Sequence, residues 1–126
     1  MSLTNTFETR TLQWLFTTGA VTRPTTWYVA LFTSAPSDVG GGTEVSGGSY
    51  VRKAVTFTVT GDTASNTAAV EFDAATASWG LITHAAIFDA STAGNMIAYA
   101  SLTTSKQIDV DDVLRVPAGD LDVTMN

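Results

Sequence analysis

Cysteine is absent from the 126 residues, which excludes disulfides, zinc–thiolate sites and thiol nucleophiles together. Histidine occurs once, at His84, so any Ser-His-Asp relay or histidine-ligated metal would have to pass through it. His84 lies between Thr83 and Ala85 in an apolar, strand-like run, a setting that suits a packed structural residue better than a base. Neither G-x-S-x-G nor H-E-x-x-H occurs. Charge is scarce too: 14% of residues carry it, against roughly 25% in an average domain. Six Lys+Arg stand against twelve Asp+Glu, a formal net charge of −6, so the chain lacks the basic surface that replaces phosphate counterions on nucleic acid. No run approaches the ~20 apolar residues of a membrane span, and the first residues have neither basic flank nor apolar stretch for a signal peptide. These absences predict a soluble, non-enzymatic protein with no nucleic-acid or membrane partner and no cofactor.

What is present is apolar and β-branched. Hydrophobic residues make up 44% of the chain, enough for a core, and threonine supplies much of the remaining polarity. Residues 1–22 read as one amphipathic helix with its connector, packed on a domain formed by residues 23–126. Asn5 and Glu8 form an N-x-x-E capping pattern, Leu3 is placed for a hydrophobic staple, and Gly19 is a natural stop. Phe7, Leu12, Trp14, Leu15 and Phe16 give the helix a broad apolar surface. That surface has two readings, a lid over one end of the core or a plug into a partner.

Beyond Pro24 the pattern becomes strand-like. Trp27–Thr33 is a nearly continuous apolar run, as expected of a central strand. Ser37–Ser49, with Gly40, Gly41 and Gly42 and a second glycine pair, reads as a long exposed loop; its glycines lack the spacing of a phosphate-binding fingerprint. Tyr50–Thr60 reads as one strand with Val55, Phe57 and Val59 on a shared face. Ala69–Phe72, Leu81–Asp89, Met96–Leu102, Gln107–Val110, Val113–Val116 and Leu121–Met125 follow as further short strands, and Ile82, His84, Ala86 and Phe88 are expected to share a face. Short strands between turn signals, after one helix, predict an all-β protein: a β-sandwich, jelly-roll-like, with one N-terminal amphipathic α-helix.

Two clusters bear on binding. Asp109, Asp111 and Asp112 offer hard oxygen atoms to calcium, but D-V-D-D lacks the calcium-loop spacing, so no metal is assigned. Trp79, beside Gly80, together with Tyr50 and Tyr99, would be the stacking aromatics of a carbohydrate-binding module. Phe7, Trp14, Phe16, Gly40, Gly41, Gly42 and Trp79 are the candidate interaction residues.

Four segments carry a resemblance: WYVALFTSAPSD (Trp27–Asp38), EVSGGSYVRKAVTF (Glu44–Phe57), NTAAVEFDAATASWGLITHAAIFDASTAGNMI (Asn66–Ile97) and AGDLDVTM (Ala118–Met125). In this order they resemble small structural proteins of tailed bacteriophages, of the tail fibre or minor tail type. The resemblance implies a virion component, assembled in the host cytoplasm, with other virion proteins as partners. It also implies a homo-oligomer, with a trimer the favoured state. The expected place is the tail, and with no heptad repeat or stalk to compose a long shaft, the chain there would be a short fibre, adaptor or tip. The alternatives are a head decoration or head-fibre protein, or a module that binds host-surface glycans.

Overall fold

A computed structural model describes residues 1–125. Strand β1 (Ser2–Leu3) leads into helix α1 (Asn5–Phe16). Then come β2 (Tyr28–Ser34), β3 (Thr43–Glu44), β4 (Lys53–Ala54), β5 (Phe57–Thr60), β6 (Thr63–Asn66) and β7 (Val70–Glu71). The chain closes with β8 (Gly80–Phe88), β9 (Met96–Ile108), β10 (Arg115–Val116) and β11 (Asp122–Thr124).

The main sheet has six strands in the order β1-β9-β8-β2-β3, with β4 also on β2. A three-stranded sheet β11-β6-β5 and a two-stranded pair β10-β7 complete the fold, and every strand pairing is antiparallel. The protein is therefore all-β and sandwich-like, with a single short helix near its N-terminus.

The continuous apolar run of β2 follows from its position, because both of its faces are covered. Val29 and Leu31 enter the principal core with Val55, Phe72, Trp79, Ile82, Ile87, Leu114 and Leu121, between the main sheet and the smaller ones. Ala30 and Phe32 face the other way and pack with Ala86, Phe88 and Met96.

Four sequence expectations change. Met96–Leu102 and Gln107–Val110 are not separate strands, because β9 runs unbroken from Met96 to Ile108. The 50–60 segment is not one strand: β4 belongs to the main sheet and β5 to the small one, so the chain changes layers at Val55–Thr56. Val55 is buried while Val59 is 71% exposed, so the two do not share an environment. In β8 the pairing with β9 shifts between Ile82 and His84. This irregularity breaks the period-two pattern, and Ile82 joins Ile87 in the principal core while Ala86 and Phe88 serve the opposite layer. Finally, residues 37–49 are not wholly loop: Ser37 and Gly40 bridge, β3 pairs with β2, and Val45 is buried.

Candidate functional site

The helix is fixed at its first turn. Asn5 is the first helical residue and not the cap; Thr4 occupies the cap position in extended geometry. The Thr4 hydroxyl, buried, donates to the Met96 carbonyl at 2.7 Å, so it does not cap the helix, and Leu3 is held in β1 against Ala98 instead of stapling the first turn. The Asn5 amide donates to the Asp38 carbonyl at 3.0 Å, which satisfies one of the first-turn donors. Phe7 is the helix's one buried side chain, with the Arg10 guanidinium 4.7 Å from its ring centroid.

Past this turn the helix leaves the body. Phe7, Thr11, Trp14 and Leu15 follow the i, i+4, i+7, i+8 spacing of one face, while Leu12 and Phe16 project from the other side of the helix. At 1.5 Å per residue, the tip lies about 8 to 14 Å beyond Phe7 along the axis. There Leu12 is 57% exposed, Trp14 68%, Leu15 56% and Phe16 80%. The lid reading therefore fails: these side chains do not seal the sandwich. The helix ends at Phe16, before Gly19, where Thr17 turns extended and its hydroxyl donates to the Gln13 carbonyl at 2.6 Å. Residues 17–20 are exposed, and the chain returns to the body at Trp27 and β2. Helix and return segment together form an arm whose outer end is apolar and uncovered by any described residue.

The glycine triplet lies at the arm's base. Gly40, Gly41 and Gly42 all have positive φ, and with Thr4, Thr6, Asp38 and Asn95 they line a shallow polar cleft beside the helix N-terminus. Only Gly42 is sterically required: a Cβ there would meet the Pro36 nitrogen at 2.8 Å and the Ser34 carbonyl at 2.9 Å. At Gly40 and Gly41 a Cβ would meet nothing within 4 Å.

Trp79 does not lie near the surface as its glycine neighbour suggested. It is 5% exposed, its indole N–H donates to the Gly48 carbonyl at 2.9 Å, and it meets the Tyr50 and Phe72 rings edge-on. Tyr50 is also committed, its hydroxyl accepting from the Leu31 amide at 3.0 Å and donating to Glu44 at 2.7 Å. Burial, and then the bond to Glu44, push the Tyr50 hydroxyl far above its ordinary pKa. Tyr99 is half-exposed, and its hydroxyl donates to Asp38 at 2.6 Å.

The aspartates near residue 110 are engaged in local turn bonds. The Asp112 carboxylate accepts the Asp109 amide at 2.8 Å, and the Asp109 carboxylate accepts Gln107 at 3.0 Å. Among the described residues no three Asp, Glu or His side chains gather as a metal site. His84 shares a 2.8 Å hydrogen bond with its neighbour Thr83.

A polar cluster that the sequence did not reveal ties the glycine-rich segment to the fold. Arg52 donates to both Glu44 oxygens at 2.8 Å, and to the Ala90 and Ala93 carbonyls at 3.0 and 2.7 Å. The side chains of Arg52 and Glu44 are 8% and 25% exposed.

Residues 2–124 match the family described as Podophage GP4 fiber I protein gp80. The chain belongs to this family. As a podophage fibre protein it is a virion structural component, in agreement with the resemblance to small tailed-phage proteins. No curated protein matches the chain.

Proposed function

We propose that this fibre protein is a tail-associated, non-enzymatic component, a short fibre, adaptor or tip, that assembles through its N-terminal arm. The observation that carries this reading is the exposure of Leu12, Trp14, Leu15 and Phe16 together at the end of a helix fixed only at its base. Four large apolar side chains on one short element form a patch that water penalises, and monomeric proteins rarely keep such patches without a use. Aromatic anchors of this kind dominate the centres of interfaces, where charge is depleted. The sparse charge of the chain supports the same reading. The partners are other virion proteins and further copies of this chain, with a trimer as the favoured state. A glycan-binding role finds little support, since Trp79 is buried and Tyr50 is committed through its ring to Phe72 and Trp79 and through its hydroxyl to Leu31 and Glu44.

Electron microscopy of virions labelled with an antibody against this protein tests the assignment. Label confined to the tail is the expected result. Label distributed over the head would replace the tail reading with that of a head decoration or head-fibre protein.

A further inference from the structure

A small hairpin, Ser37–Gly40, meets the arm at its root. Ser37 and Gly40 close it with reciprocal backbone bonds of 2.8 and 2.9 Å, and the Ser37 hydroxyl also donates to the Gly40 carbonyl at 2.9 Å. Asp38, at its apex, uses two different acceptors. Its carbonyl takes the Asn5 amide of the helix at 3.0 Å, and its carboxylate takes the Tyr99 hydroxyl of β9 at 2.6 Å. The bond to Asp38 raises the Tyr99 phenol above its ordinary pKa, which keeps it a donor. Thr4 ties the same root to β9, its amide donating to the Ile97 carbonyl at 2.9 Å and its hydroxyl to the Met96 carbonyl at 2.7 Å. The Thr4 carbonyl in turn accepts the Phe7 and Glu8 amides at 3.1 and 2.9 Å.

We infer that Asp38, fastened to β9 by Tyr99, is a clamp that nucleates helix α1 and aims the arm, so that the apolar tip meets its partner as a preformed helix. The inference rests on the reading of the arm as the assembly element. A helix of 12 residues is marginal on its own, because ordering the first turn costs more than its first hydrogen bond returns. Packing does little to offset this, since Phe7 is the one buried side chain of the helix. Its support is therefore concentrated at the root, where the Asn5, Phe7 and Glu8 amides find acceptors on Asp38 and Thr4. The charge of Asp38 also lies beside the helix N-terminus, where the dipole favours an anion. Tyr99 matters because the hairpin pairs only with itself. Among the described residues its hydroxyl makes the one side-chain hydrogen bond that fastens residues 37–40 to the main sheet. An arm ordered in advance spares its partner the entropic cost of ordering it on contact.

Hydrogen exchange of the full chain, resolved to single amides by NMR, tests the inference with Asp38→Ala, Tyr99→Phe, the double variant and Asp38→Asn. Asp38 is exposed and the phenylalanine keeps the ring of half-exposed Tyr99, so the body of each variant should fold as wild type does. Asp38→Ala and Tyr99→Phe should each speed exchange across residues 8–16 by roughly three- to tenfold, the worth of one hydrogen bond, and leave β2 and β8 at wild-type rates. The double variant should exchange no faster than either single one, because the two residues share one bond. Asp38→Asn keeps an oxygen that accepts the Tyr99 hydroxyl, and should return the rates most of the way to wild type. Helix rates that do not move would overturn the inference. So would a rise shared equally with β2 and β8, additive effects in the double variant, or no recovery in Asp38→Asn. Each of these results is read on the free protein and leaves the assembly role of the tip standing, because that is read on the virion.

Discussion

The Arg52 guanidinium lies 3.7 Å from the centroid of the Phe88 ring while it holds both oxygens of Glu44. One side chain therefore joins β3, the second layer of the main sheet and the Ala90–Ala93 turn. Arg52→Ala leaves the half-buried Glu44 without its partner and uncovers Phe88, and should destabilise the fold by about 3 kcal/mol in urea titration. Arg52→Lys keeps the charge but cannot span the two oxygens and two carbonyls, and should recover less than about half of that loss.

Acid should weaken the same cluster. Burial by itself raises the Glu44 carboxyl, but the hydrogen bonds from Arg52 and Tyr50 and the Arg52 charge outweigh it, so its pKa lies below the ordinary 4.5. A carboxyl depressed in the folded state stabilises the fold above its unfolded pKa, and loses that contribution as pH falls through the folded value. The stability difference between wild type and Glu44→Gln, measured from about pH 7 to about pH 3, should be constant at first and then shrink below about pH 4.5. A difference that grew on acidification would contradict the role given to this pair.

The glycines should separate by their surroundings. Gly48 has φ +60°, and a Cβ there would meet the Ala77 carbonyl and the Trp79 indole nitrogen, both at 2.9 Å. Gly48→Ala and Gly42→Ala combine a left-handed backbone with a clash, so each should cost about 2–4 kcal/mol. Gly41→Ala meets open space and should cost only about 1 kcal/mol. Melting temperatures of the three variants give the comparison.

Asn66, 2% exposed, is a polar keystone for the C-terminal segment. Its amide donates to the Ala68 and Pro117 carbonyls at 2.9 Å, and its oxygen accepts the Leu121 amide at 2.9 Å. Asn66→Ala strands three buried or half-buried backbone groups, and should destabilise by about 2–4 kcal/mol, with hydrogen exchange rising first at residues 117–124.

Asn66 also shows what the sequence could and could not reveal. The central strand β2 was legible because a run covered on both faces must be apolar throughout. The strand Thr63–Asn66 was not, because its one buried side chain is an amide and apolar alternation is the signal that marks a strand. Alternation also carries no record of which sheet a strand joins, so Lys53–Ala54 and Phe57–Thr60 read as one element. For the arm, spacing showed that Trp14 and Phe16 are apolar and helical, but not whether the body extends far enough to cover them. Trp79 shows the converse: Gly80 signals a turn, yet the turn tucks the indole inward against Gly48. The Arg52–Glu44 pair joins a glycine-rich segment to a strand edge, a long-range contact that local pattern does not encode.

The central claim is that the arm is an assembly element whose tip the fold itself does not need. It is tested most directly by supplying Trp14→Ser/Phe16→Ser protein to a phage whose own copy of the gene is disrupted, and quantifying the protein in purified particles. The variant should fold with a stability within about 0.5 kcal/mol of wild type, since both side chains are exposed. It should nevertheless be depleted from virions by about tenfold or more, as the loss of at least ~1.4 kcal/mol from an aromatic-anchored interface requires. Incorporation at the wild-type level would contradict the account.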